Sequence, residues 1–238
     1  MPAGVTTLLA VRTAAQQRAD MVNSQFLTVA EWNANIQSSY QELYDLLVQK
    51  YGDNYFVTTT FSITTDGVNE RYALPADFYK LLGASLVVTT SSPTQYLTMK
   101  PFMFGERDAL SIPGMAIRGR TTLRYRLDGN NLWLRPFPMG GQVIQLYYIP
   151  RLVVPTLDAD TIDGVSGWEE YVVVDAAIKA LQKEESDCSL LMAQKAALER
   201  RIEAAAENRD AGMPARVVDV RGSQPWGGGY GWGYGGDW

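Results

Sequence analysis

The sequence predicts an α+β protein: an antiparallel bundle of N- and C-terminal helices with an inserted antiparallel β domain and an extended C-terminal tail. Three observations lead to this prediction. Apolar residues recur at steps of three and four near both ends, they alternate with polar residues in the middle, and neither period continues beyond Gly212. The predicted bounds are 1–53 and 165–210 for the helical domain, 54–164 for the β domain and 211–238 for the arm.

Two helices are predicted at the N-terminal end. Thr6 or Thr7 can cap a helix that reaches about Ala19. The run Thr28-Val-Ala-Glu31 is typical of a capping box, in which the hydroxyl and the carboxylate each satisfy a free backbone amide. It opens a helix of about 35 Å that ends near Gly52. Its apolar stripe is Trp32, Ile36, Tyr40, Leu43 and Leu47.

The middle of the chain has the two-residue period of strands. Residues 55–63 alternate, Asp66-Gly67 indicates a turn, and short strands are expected at 71–75, 81–90 and 96–99. Three further strands are separated by turn signals, Asp128-Gly-Asn-Asn131 and Gly140-Gly141, which predicts an antiparallel meander. These strands are 122–127, 132–135 and 143–149.

Helices return after residue 165. Ser166-Gly-Trp-Glu169 indicates a second capping box, and Tyr171, Val174, Ile178 and Leu181 form the apolar stripe that follows it. Polar residues at 186–187 interrupt the pattern, and a last helix is expected over 189–208 with Leu191, Leu198, Ile202 and Ala205 facing inward. The pair predicts a helical hairpin.

Composition excludes several classes of function. The 238 residues include no histidine, which rules out Ser–His and Cys–His nucleophile pairs. Cys188 is the single cysteine, so neither an internal disulfide nor a cysteine-based metal site is expected. The net charge of −5 and the lack of a basic block disfavour sequence-reading contact with nucleic acid. No membrane span and no signal peptide are expected.

Candidate metal and catalytic motifs each have an ordinary structural explanation. Asp158 to Gly164 is acidic enough to suggest calcium, but Ile162 and Asp163 stand where an EF-hand loop needs a ligand and a glycine. Gly164-Val-Ser166 suggests a nucleophile elbow, but its second glycine is replaced by Trp168.

Carboxylate pairs are the remaining catalytic candidates. Glu169 with Glu170, and Glu106 with Asp108, are the nearest pairs of the kind that a glycosidase uses. Acids at the start of a helix usually interact with the helix dipole in water. No cofactor, no metal and no enzymatic activity are therefore expected.

The chain ends in a segment rich in Gly, Trp and Tyr and poor in charge. Trp and Tyr are favoured interface anchors, so this segment is interpreted as an arm that orders on a partner. Two alternatives stay open: an untethered tail, and a set of rings that stack on carbohydrate.

Four stretches of the chain form a recognisable set of motifs: Arg18–Thr28 with Leu43–Leu47, Tyr72–Leu82, Leu97–Phe102, and Gly167–Ala177 continuing through Gln182–Ser186. Together they resemble a known family, the head-to-tail adaptor (connector or neck) proteins of tailed bacteriophages. The resemblance spans about residues 6 to 220; the Gly/Trp/Tyr-rich end after Gly222 is not part of the family pattern.

The resemblance implies a structural protein of the virion neck, made in the host cytoplasm. Such adaptors form a ring of twelve copies under the portal, with DNA passing through the lumen, and the β part meets a tail nozzle, stopper or tail-tube protein. The portal-binding arm would use Pro214, Val217, Val218, Val220, Trp226, Tyr230, Trp232, Tyr234 and Trp238. The tail-facing β loops would present Phe102, Met103, Phe104, Ile112 and Met115.

Two other functions compete with the adaptor hypothesis. The exposed aromatics would also suit a carbohydrate- or host-surface-binding tail module. A cell-wall hydrolase would need one of the carboxylate pairs, and the lack of histidine and of a convincing pair argues against it.

Overall fold

A computed structural model of the chain describes residues 6–55, 57–89, 93–111, 123–161 and 167–207. These residues form a mixed α+β fold with mainly antiparallel sheets. The helices are α1 (Leu8–Arg18), α2 (Val29–Tyr51), α3 (Glu169–Lys183) and α4 (Ser189–Glu207), and short 3-10 turns lie at Gly52–Asn54, Phe104–Glu106 and Ala109–Ser111. The strands are β1 (Thr59–Thr64), β2 (Arg71–Ala73), β3 (Phe78–Thr89), β4 (Gln95–Thr98), β5 (Lys100–Pro101), β6 (Arg124–Asp128), β7 (Asn131–Arg135) and β8 (Val143–Pro150).

The predicted start signals of the two N-terminal helices are confirmed. The Thr7 hydroxyl accepts a hydrogen bond from the Ala10 amide at 3.3 Å. In the second helix the Glu31 amide donates to Thr28 Oγ1 at 3.3 Å, and the Thr28 amide donates to Glu31 Oε2 at 2.9 Å. Gly52 ends α2 with a φ of +54°, a conformation that favours glycine.

The third helix begins differently from the prediction. Trp168 occupies its N-cap and makes no side-chain capping bond, so the capping box predicted from Ser166 to Glu169 is wrong. The helix starts at Glu169, whose carboxylate instead accepts from the Gly167 amide at 3.4 Å. Ser166 itself lies outside the described residues. The hairpin of α3 and α4 is confirmed by the direct packing of the two helices.

The four helices share one hydrophobic core, to which Tyr55 and Ile149 also contribute. The largest fully buried side chains of this core include Leu8, Trp32, Ile36, Tyr40, Leu43, Leu47 and Ile202. The apolar stripe that predicted α2 therefore faces α1, α3 and α4.

The strands form two four-stranded sheets, ordered β1-β8-β3-β4 and β2-β7-β6-β5. The hairpin of β6 and β7 is confirmed, with Asp128 opposite Asn131. The meander is wrong at its third strand, because β8 pairs with β1 and β3 in the other sheet. A central position suits β8, since Ile144, Leu146 and Ile149 are fully buried.

Two smaller differences concern strand limits and direction. The first strand begins at Thr59, because Tyr55 belongs to the helical core, where its ring meets Tyr44 edge-on at 5.6 Å. Lys100 and Pro101 pair with β6 in parallel rather than antiparallel fashion. A second, smaller core joins the sheets; it contains Ile63, Ala84, Met99, Leu123, Leu132, Leu134, Ile144 and Leu146.

Candidate assembly surfaces

A cleft of about 360 Å³ lies among α2, α3 and α4. Four of its five charged side chains form what we call the ion-pair cluster: Glu42, Asp175, Lys179 and Lys195; the fifth is Glu199. Asp175 receives Lys195 at 2.7 Å and Lys179 at 2.8 Å, and Lys179 also reaches Glu42 at 2.8 Å. The four charges of the ion-pair cluster are therefore matched within the protein, and Glu199 accepts a hydrogen bond from the Tyr171 hydroxyl at 3.5 Å.

The electrostatics of the cluster favour a fixed structural role. Burial alone would raise the pKa of Asp175, but hydrogen bonds from Lys179, Lys195 and Ser39 outweigh it and hold that pKa below its usual range. Burial alone would lower the pKa of Lys195, but Asp175 more than offsets this and raises it. Burial also raises the pKa of Tyr171 to about 12. Asp175, Lys195 and Tyr171 therefore keep the same charge near neutral pH, which does not suit an acid–base step. The ion-pair cluster instead links α2, α3 and α4.

The carboxylates considered as catalytic or metal-binding candidates are engaged in local structure. Glu170 pairs with Arg18, and Glu106 accepts from the Met103 amide at 3.0 Å. Asp158 holds both guanidinium nitrogens of Arg12, at 2.8 and 2.9 Å, and Asp160 accepts from the Leu157 amide at 2.8 Å. Within the described part of the chain, no group of three or more His, Cys, Asp or Glu residues is placed to hold a metal ion.

The loop after β5 contains three of the residues predicted to face the tail. Phe102 is 4% exposed and packs edge-on against Trp133. Its side chain therefore stabilises the loop from inside and does not lie on the outer surface. Met103 is 75% exposed and Phe104 is also exposed. Ile112 and Met115 lie outside the described residues. The loop thus offers two of these side chains to a partner.

A second exposed apolar surface has no counterpart in the sequence prediction. We call it the apolar tip; it consists of Val68, Phe137 and Met139. It is formed by two loops that touch where Gly67, at a φ of +72°, meets Gly140. A Cβ at Gly67 would lie 2.9 Å from the Gly140 nitrogen.

The apolar tip is held by hydrogen bonds between its two loops. The amide of Thr65 donates to the Gln142 carbonyl at 2.8 Å, and the amide of Gly141 donates to the Thr65 carbonyl at 2.8 Å. Asp66 accepts from the amides of Val68 and Asn69 at 2.9 and 2.8 Å. Val68 and Met139 are 75% and 72% exposed on this rigid frame, which is the arrangement expected of a preorganised docking surface.

The portal-binding residues predicted from the sequence, from Pro214 to Trp238, lie outside the described residues. Their role stays a prediction. Within the described residues, α4 extends to Glu207.

The chain was compared with known families and with curated proteins. No curated protein matches it. A family model described as SU10 adaptor protein matches residues 6–219, nearly the whole range over which the sequence motifs resemble head-to-tail adaptors. No helix of the described residues is both long and apolar enough to cross a membrane. The chain therefore belongs to the SU10 adaptor family, a family of phage head-to-tail adaptor proteins with a structural role in the neck of the virion.

Proposed function

We propose that this chain joins the portal of a tailed phage to its tail, as a ring of twelve copies that surrounds the DNA channel. The observation that carries the proposal is the family match over residues 6–219. The chain acts as a structural component and not as an enzyme. A net charge of −5 suits a structural role beside DNA, because an acidic chain does not hold DNA tightly.

The presence of two cores supports different roles for the helical and β domains within the ring. Residues 1–53 and 165–210 form a helical domain that makes the ring wall, and residues 54–164 form a β domain inserted into it. The ion-pair cluster links α2, α3 and α4, which suits a rigid wall. The helical core is the larger of the two cores, which suits the part that forms the ring wall.

The β domain faces the tail nozzle, stopper or tail-tube protein in this proposal. Met103 and Phe104 on one loop, and the apolar tip on another pair of loops, supply exposed apolar side chains at fixed positions. Apolar and aromatic anchors in rigid settings are the usual centres of binding energy in protein interfaces.

The arm, residues 211–238, binds the portal. Its run Val217-Val-Asp-Val220 is rich in β-branched residues and suits an added strand. The tryptophans and tyrosines from Trp226 to Trp238 suit pockets on a partner. All of these aromatic residues lie beyond the range matched by the family model, which ends at residue 219.

The proposal is tested with the matching portal protein. Full-length chain and a truncation that ends at Gly212 are each mixed with the portal and measured by mass photometry and electron microscopy. We expect the full-length chain to add a ring to the portal, whereas the truncation leaves the portal bare. A full-length chain that ignores the portal would overturn the proposal. Binding of the isolated arm to carbohydrate would then favour the host-surface module.

A further inference from the structure

The sheet ordered β2-β7-β6-β5 carries a concentration of positive charge on its outer face, although the chain as a whole is acidic. Directly paired residues share a face of a sheet, and the register places Arg71, Trp133 and Arg126 in one row. The next row contains Arg135, Arg124 and Lys100. We call the five cations of these two rows, Arg71, Lys100, Arg124, Arg126 and Arg135, the basic face.

Charge is only partly balanced on the basic face. Arg71 pairs with Asp128 at 3.1 Å, and Arg135 pairs with Glu70 at 2.8 Å. On the half formed by β5 and β6, Arg124 is 3.7 Å from Glu106, whereas Lys100 and Arg126 form no ion pair with any described residue. The surplus of positive charge therefore lies at Lys100 and Arg126.

Three of the five cations lie against aromatic rings. The guanidinium groups of Arg71 and Arg135 lie 4.8 and 5.1 Å from the centre of the Trp133 ring, and Arg126 lies 5.4 Å from the centre of Phe104. Fixed cations lose little conformational freedom on binding, so the basic face is suited to a carboxylate-rich partner surface.

A surface of opposite character lies on the helical part of the same chain. The turn between α3 and α4 presents Glu184, Glu185 and Asp187, which we call the acidic corner, and all three are exposed. No ion pair involves them within the described residues. The turn is ordered, because the Ser186 amide donates to the Leu181 carbonyl at 3.0 Å and Asp187 accepts from the Ser189 amide at 2.9 Å.

We infer that neighbouring copies of this chain bind head to tail, with the acidic corner of one copy on the Lys100–Arg126 side of the basic face of the next. Two different surfaces that fit each other generate a ring when the rotation between copies closes, whereas one self-complementary surface generates a pair. The inference rests on the proposed function, because it assigns the copy-to-copy contact of the ring. Charge complementarity of this kind sets register and partner choice.

The experiment uses two charge-reversed full-length chains on the matching portal. One carries Lys100→Glu with Arg126→Glu, and the other carries Glu184→Lys with Glu185→Lys. Each alone juxtaposes like charges, so we expect partly filled portals at concentrations where the wild-type chain fills them. Binding of single copies through the arm is retained, which separates this result from a failure of portal binding itself.

Mixing the two variants in equal amounts gives the decisive result. An alternating ring restores opposite charges at every contact, so we expect complete rings from the mixture, counted by mass photometry. Arg151→Glu, a reversal of an exposed cation away from both surfaces, serves as the matched control and should fill the portal normally.

Several outcomes would overturn the inference. One is complete rings from either variant alone, and another is no rescue on mixing. A third is loss of binding to a fluorescent DNA duplex in the Lys100→Glu, Arg126→Glu chain with its rings intact, which would assign the basic face to DNA. Wild-type filling should also weaken between 0.1 and 1 M salt, because the screening length falls from about 10 Å to about 3 Å.

Discussion

The helical part of the molecule contains a buried, paired charge, whereas the β part carries exposed apolar side chains on hydrogen-bonded loops. Asp175 is 3% exposed and is matched by two lysines inside the helical part. Val68 and Met139 are 75% and 72% exposed on the loops of the β part. The first arrangement links helices of the same chain, and the second leaves apolar surface available to a partner.

The first prediction tests whether the two cores are separate units of stability. Leu43→Ala empties a site in the helical core, and Leu146→Ala empties one in the β core; both leucines are fully buried. Each change should cost about 2–5 kcal/mol of unfolding free energy. Amide hydrogen exchange should accelerate across β1, β3 and β8 in Leu146→Ala while α2 and α3 stay protected. Equal loss of protection in both parts would contradict the distinction.

The second prediction concerns the buried charge. Asp175→Ala leaves Lys179 and Lys195 without their shared carboxylate and should cost about 3 kcal/mol, measured by chemical denaturation. The matched control is Glu42→Ala, which removes the exposed carboxylate that faces the same lysines. Its cost should stay under about 1 kcal/mol. Equal costs would show that burial of Asp175 has no special weight.

The third prediction follows from the lowered pKa of Asp175. A carboxyl group with a lower pKa in the folded state contributes stability above its unfolded pKa of about 3.9. That contribution is lost as the pH falls through the lower folded value. The difference in Tm between wild type and Asp175→Ala should therefore be constant from about pH 5 to pH 8 and shrink below about pH 4. A difference that grows on acidification would refute the assignment.

The extent to which the sequence predicted the fold depends on the range of the interactions. Thr28 and Glu31 are three residues apart, and their capping box is confirmed because local hydrogen bonds decide it. The sequence predicted β8 as a strand but placed it in the wrong sheet, because its partners, β1 and β3, are separated from it by many residues. Turn signals such as Gly140-Gly141 indicate that the chain reverses, but they do not indicate which sheet the next strand joins.

The same limit applies to the candidate surfaces. Val68 and Met139 adjoin Gly67 and Gly140, which lie against each other, and no local pattern in the sequence indicates that close approach. The basic face did have a signal, since Arg124-Tyr-Arg126 places two arginines at strand spacing and Trp133-Leu-Arg135 places a ring and an arginine at the same spacing. The total charge of −5 hides it, because a total says nothing about distribution.

The fourth prediction concerns docking by the β part. Val68→Ser with Met139→Ser should leave the unfolding free energy nearly unchanged, because both side chains are exposed. Affinity for the tail-tube or nozzle protein of the same virus, measured by biolayer interferometry on assembled rings, should fall at least about tenfold, or about 1.4 kcal/mol. The control is Val153→Ser, at an exposed valine away from the tip, and it should bind normally. Unchanged affinity in the double variant would remove the apolar tip from the docking surface.

The fifth and smallest effect is expected at Glu185, in the acidic corner. Its φ of +60° is a left-handed conformation, which glycine adopts most readily and which asparagine and aspartate adopt more readily than other residues. Glu185→Gly should therefore raise the unfolding free energy by about 0.5–1 kcal/mol, measured by chemical denaturation. Asp20, with a φ of +55°, offers the matched change Asp20→Gly, which should stabilise the chain in the same way.

The two glycine variants should then differ in assembly. If Glu185 contributes its charge to the contact between copies, Glu185→Gly gains stability and loses some efficiency in filling the portal, whereas Asp20→Gly gains stability alone. Binding then explains why the strained position 185 has a glutamate, since stability favours glycine there and the contact between copies favours a negative charge. If Glu185→Gly fills the portal as well as Asp20→Gly does, the charge of Glu185 has no part in the contact, and the strain at this position is left without a functional reason.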